Sequence, residues 1–346
     1  MSTIVLRLPD VKCEEEQRPT ECPYCGVTHR LQRWGRCAKP VRDNKLRVVM
    51  VRRYRCCACG RSFRHYPEGV SRSHQTGRMV RLAALMWALG LSLRGVEAVL
   101  GAFGVDLGRS TIARDGKAIG EQVRGELGQR QVRVLGVDGA WLPVAGKKQG
   151  IMVAVDMGSG VPVRIAAIDE NDVLKVKTWL QEVVRELDVA VLVTDDANAY
   201  RPMAQHLGLE RQICQFHMLR WVNRELARLA RLLGSIWQEV IRQVQQIVRE
   251  LPVDGGARLF QLWHRIKARP PGVGEAASPL YQLKRLLIRL SDHWTEYRLF
   301  QEQEQVPNTN NRTERAIGKL KQRSRTVRGW KTSTGVESMF YLLATR

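Results

Sequence analysis

The chain has 346 residues, 44% hydrophobic and 26% charged, which fits a folded globular protein rather than a disordered one and is too long for one small core. Its 56 Lys and Arg against 34 Asp and Glu leave a formal charge of +22, so polyanions are the expected partners, nucleic acid ahead of an anionic membrane surface. No apolar run approaches the ~20 residues of a spanning helix, and Met1 to Asp10 lacks the basic-then-apolar layout of a signal peptide. A cytoplasmic protein with no membrane partner is expected.

Residues 1–70 are polar and rich in cysteine. Seven of the chain's eight cysteines fall between Cys13 and Cys59, a grouping that suits metal binding in a reducing compartment better than a disulfide scaffold. Cys22-Pro-Tyr-Cys25 and Cys56-Cys-Ala-Cys59 are two knuckles, each followed by a glycine, Gly26 and Gly60. Four thiolates facing each other satisfy tetrahedral Zn²⁺, and a site with four protein ligands is structural. The spacing to Cys59 favours Cys56 over Cys57, while Cys13 and Cys37 have no matching partner and are expected as free thiols. Lys45 to Arg55 reads as a strand leading into the second knuckle. Arg52, Arg53, Arg55, Arg61 and Arg64 flank it as candidate phosphate contacts.

Residues 71–128 turn helical. Met79, Leu82, Ala83, Leu85, Met86 and Leu89 recur at helical spacing up to Gly90, a second helix starts after Ser92 as N-cap and runs to Phe103, and a third covers Ser110 to about Ile119. Three short helices with a Gly-containing turn before the last read as a helix-turn-helix. Arg109, Ser110, Thr111, Arg114 and Lys117 on the third are then candidate DNA contacts; the alternative is a connector whose charges face water.

Residues 129–346 carry the chemistry. Val132 to Val137, Ile151 to Met157 and Val161 to Ile168 read as three strands, followed by a helix from Asp172 to about Leu187, a strand at Val189 to Thr194, a short helix near Ala197 to Leu207 and a strand at Arg211 to Cys214. That order is what an RNase H-like core needs. Residues 218–305 read as a helical insertion broken at Pro270-Pro271-Gly272, with Trp221, Trp237, Trp263 and Trp294 at core-like positions. A basic helix from Asn311, a loop around Arg328-Gly-Trp330 and an apolar helix close the chain. The fold class expected is thus multidomain α/β: zinc ribbon, helix-turn-helix, and RNase H-like core with an all-helical insertion.

Asp138 and Asp195 each end an apolar run, Arg133-Val-Leu-Gly-Val137 and Ala190-Val-Leu-Val-Thr194, and Glu314 opens the basic helix. Carboxylates gathered at strand ends repel one another unless divalent cations intervene, and hard oxygen ligands suit Mg²⁺ or Mn²⁺. A pair of such ions can clamp the attacking and leaving oxygens of a phosphoryl displacement. Asp138, Asp195 and Glu314 are therefore the candidate catalytic and metal-binding residues, with Gly139 leaving room for a substrate backbone. Asp196 stays open as an alternative to Asp195, which is preferred because it lies nearest the strand end. Lys319, Lys321, Arg323 and Arg325 follow Glu314 as a candidate DNA track, against the alternative of a solvated face. Cys214-Gln-Phe-His217 is a C-x-x-H without a second pair nearby, and Cys214 and His217 are accessory candidates with a structural role equally open.

These features together resemble DDE transposases of bacterial insertion sequences, in particular the Mutator-like group with an N-terminal zinc ribbon and helix-turn-helix. The residues that carry the resemblance are the two knuckles, Gly136-Val-Asp-Gly139, Thr194-Asp195 ahead of Ala199-Tyr200, Cys214-Gln-Phe-His217, Asn310-Asn-Arg-Thr-Glu-Arg315 and Lys319 to Gly329. The resemblance implies an RNase H fold carrying Asp138, Asp195 and Glu314 as ligands of Mg²⁺ or Mn²⁺, double-stranded DNA as partner (transposon ends and target), terminal inverted repeats as substrate, and residence at the bacterial nucleoid. Pairing two ends requires at least a homodimer on DNA. The rival expectation is a domesticated DNA-binding regulator without catalysis.

Overall fold

The computed structural model describes residues 6–12, 18–327 and 330–344. Cys13, the residues before Leu6, and Arg328 and Gly329 of the expected C-terminal loop lie outside them. The chain divides into two compact units, one of Gly128–Leu142 and Lys148–Gly318, the other of Ser2–Leu127, Pro143–Lys147 and Lys319–Arg346.

In the second of these, β1 (Leu31–Pro40), β2 (Val48–Cys56) and β3 (Ser62–His65) form an antiparallel three-stranded sheet in that order. Residues alternate across β2, so Val49, Val51, Tyr54 and Cys56 are buried while Val48, Met50, Arg53 and Arg55 are exposed. Three helices follow: α1 (Gly77–Ala88), α2 (Leu93–Ala102) and α3 (Arg109–Leu127). Ser92 caps α2 by accepting from Gly95 N, as its sequence position suggests. Between sheet and helices Asp43 is buried and accepts from Arg78 Nε (2.7 Å), Arg78 Nη2 and Thr76 Oγ1. Burial works against the charge, yet the Arg78 guanidinium and the Thr76 hydroxyl bring the Asp43 carboxyl down to about 2.

The third helix is longer than the expected end near Ile119. Its continuation, through buried Val123 and Leu127, is covered by the last helix, α12 (Ser333–Leu343). Gly116 and Gly120 lower helix propensity, and both are closely packed. A Cβ on Gly116 would sit 2.6 Å from Trp87 Cε3, and one on Gly120 would sit 2.8 Å from Ser338 O.

The other unit is built on a five-stranded sheet of order β6-β5-β4-β7-β8, with β4 (Val134–Val144), β5 (Lys147–Asp156), β6 (Pro162–Ala166), β7 (Val191–Thr194) and β8 (Glu210–Ile213). β5 and β6 pair antiparallel, whereas β4, β7 and β8 run parallel. The crossovers between the parallel strands hold α4 (Val173–Leu187) and α5 (Tyr200–His206). Both faces are buried, as parallel strands require. Leu135, Val137 and Leu192 pack with Val176, Leu180 and Val183 of α4, and Val134, Val191 and Val193 pack on the opposite side with Leu299 and Val306.

A helical bundle follows β8: α6 (Gln215–Leu233), a 3-10 turn (Ser235–Trp237), α7 (Gln238–Glu250), α8 (Gly255–Arg265), α9 (Pro279–Asp292) and α10 (Trp294–Glu302). Its core is formed by the apolar stripes of these helices, with Trp294 and Tyr297 fully enclosed and Trp221, Trp237 and Trp263 only partly covered. The Pro-rich break falls between α8 and α9. The chain then returns to the sheet as α11 (Asn311–Thr326). Among the described residues no helix is long and apolar enough to cross a membrane.

Gly116→Ala is expected to lower the thermal midpoint of the full chain, by an amount equivalent to about 1–3 kcal/mol, because the added methyl displaces the Trp87 ring. Thermal melts of the two proteins read the difference.

Candidate active site and metal centres

Two features of the sheet set the site. The parallel register pairs Val134 with Val191, Leu135 with Leu192 and Gly136 with Val193. Continued by two residues, it brings Asp138 level with Asp195. Period two then puts both carboxylates on the face of Val134, Val191 and Val193. The expected end of the first strand at Val137 is corrected: β4 runs on to Val144, since Leu142 and Val144 keep alternating into the core. Asp138 is therefore inside a strand, at the point where its parallel neighbour β7 stops. Gly139 does not leave the expected space, because a Cβ there would meet the Glu170 side chain at 2.1 Å.

Glu314 reaches this face through the start of α11. A Cβ on Gly136 would lie 2.4 Å from Thr313 Oγ1 and 2.6 Å from Asn310 Oδ1, so only glycine allows the helix start to rest on β4. Asn310 and Thr313 are both buried. Asn310 Nδ2 donates to Val137 O at 3.0 Å, and Thr313 Oγ1 donates to Asn310 Oδ1 at 2.6 Å. Asn310 N also faces Cys214 Sγ at 3.3 Å. These three residues, Gly136, Asn310 and Thr313, fix Glu314 without touching a ligand. The sequence signal was present in the polar Asn308 to Glu314 block, but its positioning role is visible only with β4 beside it.

Glu314 Oε1 lies 3.3 Å from His217 Nε2, yet accepts no hydrogen bond. Cys214, His217 and Glu314 place one ligand atom each within 4.8 Å of one another. The C-x-x-H pair thus has a third partner, which its sequence neighbourhood did not supply. Among the described residues, Asp138, Asp195 and Glu314 do not form such a three-atom cluster. They are linked electrostatically instead. Burial first, then the charge of Asp195, raises the Asp138 carboxyl to about 6; the Gly139 N–H and His217 oppose the rise, and Glu314 adds to it. Interaction with the Cys214 thiol raises His217 to about 9 against burial, with Glu314 and Asp138 contributing. Asp138 thus stands between two like charges, and Glu314 has a buried oxygen lacking a donor. Both conditions suit cations shared through Asp138.

Asp196 is engaged elsewhere. Its Oδ2 accepts from Tyr297 OH at 3.1 Å and pairs with Arg289 Nη2 at 3.0 Å, both from the helical bundle. Asp195 Oδ1 accepts the local Ala197 N–H at 3.1 Å.

The four knuckle cysteines also come together. Cys22 and Cys59 sulfurs are 3.8 Å apart and Cys25 and Cys56 sulfurs 3.6 Å apart, with all four atoms inside 4.8 Å. Four sulfurs about 2.3 Å from a central Zn²⁺ lie about 3.8 Å from each other, so the cluster is compatible with zinc. Gly26 and Gly60 adopt φ of +71° and +73° and return their N–H groups to Cys22 O and Cys56 O, both at 2.9 Å. The Cys59 N–H leads the groups that bring the Cys56 thiol down to about 7. Cys37 is a free thiol.

Of the candidate DNA contacts on α3, Arg109, Ser110, Arg114 and Lys117 are exposed and Thr111 is half-buried, while Arg109 pairs with Glu97 at 3.5 Å. Lys321 and Arg325 are exposed and Lys319 is half-buried. Arg323 is a correction. It is 4% exposed and donates to Gly90 O and Leu91 O, each at 2.7 Å, so it ties down the turn between α1 and α2 rather than facing solvent.

Residues 175–338 match the transposase IS66 family. The match supports a DDE transposase. It spans Asp195, the Cys214–His217 pair and Glu314 but begins after Asp138, and it does not support the expected Mutator-like grouping. A crystal structure of the catalytic core domain of BIV integrase is similar at 17% identity, covering 44% of this chain and 94% of that chain, with a TM-score of 0.21. The fold rests on the strand order itself rather than on that likeness. The chain has no match among curated proteins.

Two measurements follow from this geometry. The raised Asp138 carboxyl contributes stability that is complete below about pH 4 and is lost as pH rises through about 6. In metal-free protein Asp138→Asn should melt with the parent near pH 4 and above it at pH 7.5, by at most about 3 kcal/mol. Mg²⁺ should raise the melting point of the parent alone. The second is metal content: one zinc per purified chain is expected, with little in Cys25→Ser and with the thermal midpoint falling in parallel.

Proposed function

We propose that the chain is a DDE transposase that cleaves and joins DNA at the ends of an insertion sequence. The observation that carries this reading is the joint placement of Asp138 and Asp195 on one face of the sheet, with α11 resting on Gly136 to deliver Glu314 to the same face. Residues 1–70 are read as a zinc ribbon and 71–128 as a helix-turn-helix, with the catalytic domain beyond 129.

Asp138, shared between two sites, would hold one cation with Asp195 and a second with Glu314. Mg²⁺ or Mn²⁺, when bound, neutralises the crowded carboxylates and stabilises the charge of the attacking and leaving oxygens at phosphorus. In the first reaction water attacks a phosphodiester, and the bond from phosphorus to the 3′ oxygen breaks to free a 3′-hydroxyl. In the second that hydroxyl attacks a phosphodiester of target DNA, displacing another 3′ oxygen, so no protein–DNA bond is formed. The side chains act by position and charge: Asn310 and Thr313 fix the start of α11, and His217 offsets the charge of Glu314 at 3.3 Å. Arg109, Ser110, Thr111, Arg114 and Lys117 are the proposed contacts of the third helix with terminal repeats, and Lys319, Lys321 and Arg325 the proposed phosphate contacts after Glu314. Two ends must be held together, so a dimer or larger assembly on DNA belongs to the reading.

Asp138→Asn, Asp195→Asn and Glu314→Gln should each reduce strand cleavage and strand transfer in Mg²⁺ by about 10²–10³-fold or more while leaving a gel-shift on the same DNA intact. Cleavage at the parental rate in these variants would overturn the assignment. A parent that shifts DNA but never cuts it would instead favour the regulator.

A further inference from the structure

Cys214, His217 and Glu314 together have the atoms to hold an ion of a different kind from Mg²⁺. Cys214 is the residue before α6, and His217 stands three positions on, in the first helical turn, so both side chains lie on one side of the helix start. Glu314 comes from the first turn of α11. The two helix starts are stitched together: Gln215 N donates to Asn308 O and Asn308 Nδ2 to Gln215 Oε1, both at 2.8 Å, and Asn310 N donates to Cys214 Sγ at 3.3 Å. Cys214 N donates in turn to Thr194 O at 2.8 Å, which ties the group to the end of β7. The three ligand atoms are thus held within 4.8 Å of one another by the backbone around them.

Two polar atoms of the cluster lack partners. Glu314 Oε1 and His217 Nδ1 are buried and make no hydrogen bond among the described residues. A buried carboxylate oxygen without a donor is costly, and the His217 ring stands beside it at 3.3 Å, in the place a cation would suit. The ligand set decides which cation. A thiolate, an imidazole and one carboxylate oxygen are what Zn²⁺ takes, whereas Mg²⁺ prefers oxygen alone. Three protein ligands, against four in the cysteine cluster, leave one position open to water.

We propose that Cys214, His217 and Glu314 form an inhibitory site for a divalent transition-metal ion of the zinc class. An ion seated there claims the Glu314 carboxylate, so the cation that Asp138 and Glu314 would share is lost. The proposal rests on the reading of the chain as a DDE transposase and adds that zinc and Mg²⁺ compete for one glutamate.

Co²⁺ is the probe, because a cobalt–thiolate bond has a charge-transfer band in the near ultraviolet that a carboxylate-bound ion lacks. Full-length protein already holding zinc on its four-cysteine cluster is titrated with Co²⁺ while its zinc content is followed. The parent should take up one Co²⁺ with that band and keep its zinc. Cys214→Ser should lose the band. His217→Ala, at a half-buried position whose truncation spares the core, should weaken the uptake by at least about tenfold. Added Zn²⁺ should abolish Mg²⁺-dependent cleavage by the parent, with its midpoint at the concentration that displaces the cobalt band. No band in the parent, a band that persists in Cys214→Ser, cobalt uptake matched by zinc release, or full cleavage once zinc has displaced the band would overturn the proposal. If the parent binds cobalt through Cys214 but never cuts DNA in Mg²⁺, the catalytic reading fails, its control by zinc falls with it, and the ion site stands. A parent that cuts in Mg²⁺ but shows no band removes the ion site alone.

Discussion

The site depends on the parallel pairing of β4 with β7. That register sets two carboxylates, Asp138 and Asp195, side by side at the point where the shorter strand ends. Side-by-side acids in a partly dry setting are unfavourable, and the raised Asp138 carboxyl is the measure of that cost. The unit tolerates it because the rest of the sheet is apolar on both faces and closely packed. On the reading proposed above, divalent ions that neutralised the face would relieve both the burial of the charge and its repulsion.

Around this pair the neighbours divide their tasks. Asp196 is held by Tyr297 and Arg289, which ties the end of β7 to the helical bundle. Glu314 stands 3.3 Å from His217 and acts on Asp138 through its charge. The adjacent aspartates therefore differ in surroundings: Asp195 raises the Asp138 carboxyl, and Asp196 is bound to the helical bundle.

Much of this was legible in the sequence. The knuckle spacing and the order of strands and helices each had local signals, and the strand order found is the one those signals suggested. Other features had none. The continuation of β4 past Asp138 depends on a core that Leu142 and Val144 enter only after folding. Arg323 reads as one cation in an exposed row, because nothing nearby in sequence announces that the turn between α1 and α2 will cover it. The continuation of α3 past Ile119 had no local signal either, since Gly116 and Gly120 are packed by Trp87 and by Ser338, both remote in sequence. The partner of the C-x-x-H pair lay far along the chain, in Glu314, beyond the reach of any spacing rule.

Gly136 carries weight without a side chain of its own. Its hydrogen is all that separates β4 from Asn310 and Thr313. A chain that kept Asp138, Asp195 and Glu314 but acquired alanine or serine here would press on both side chains and push the start of α11 off the strand, so keeping the acids is not by itself enough to keep their arrangement.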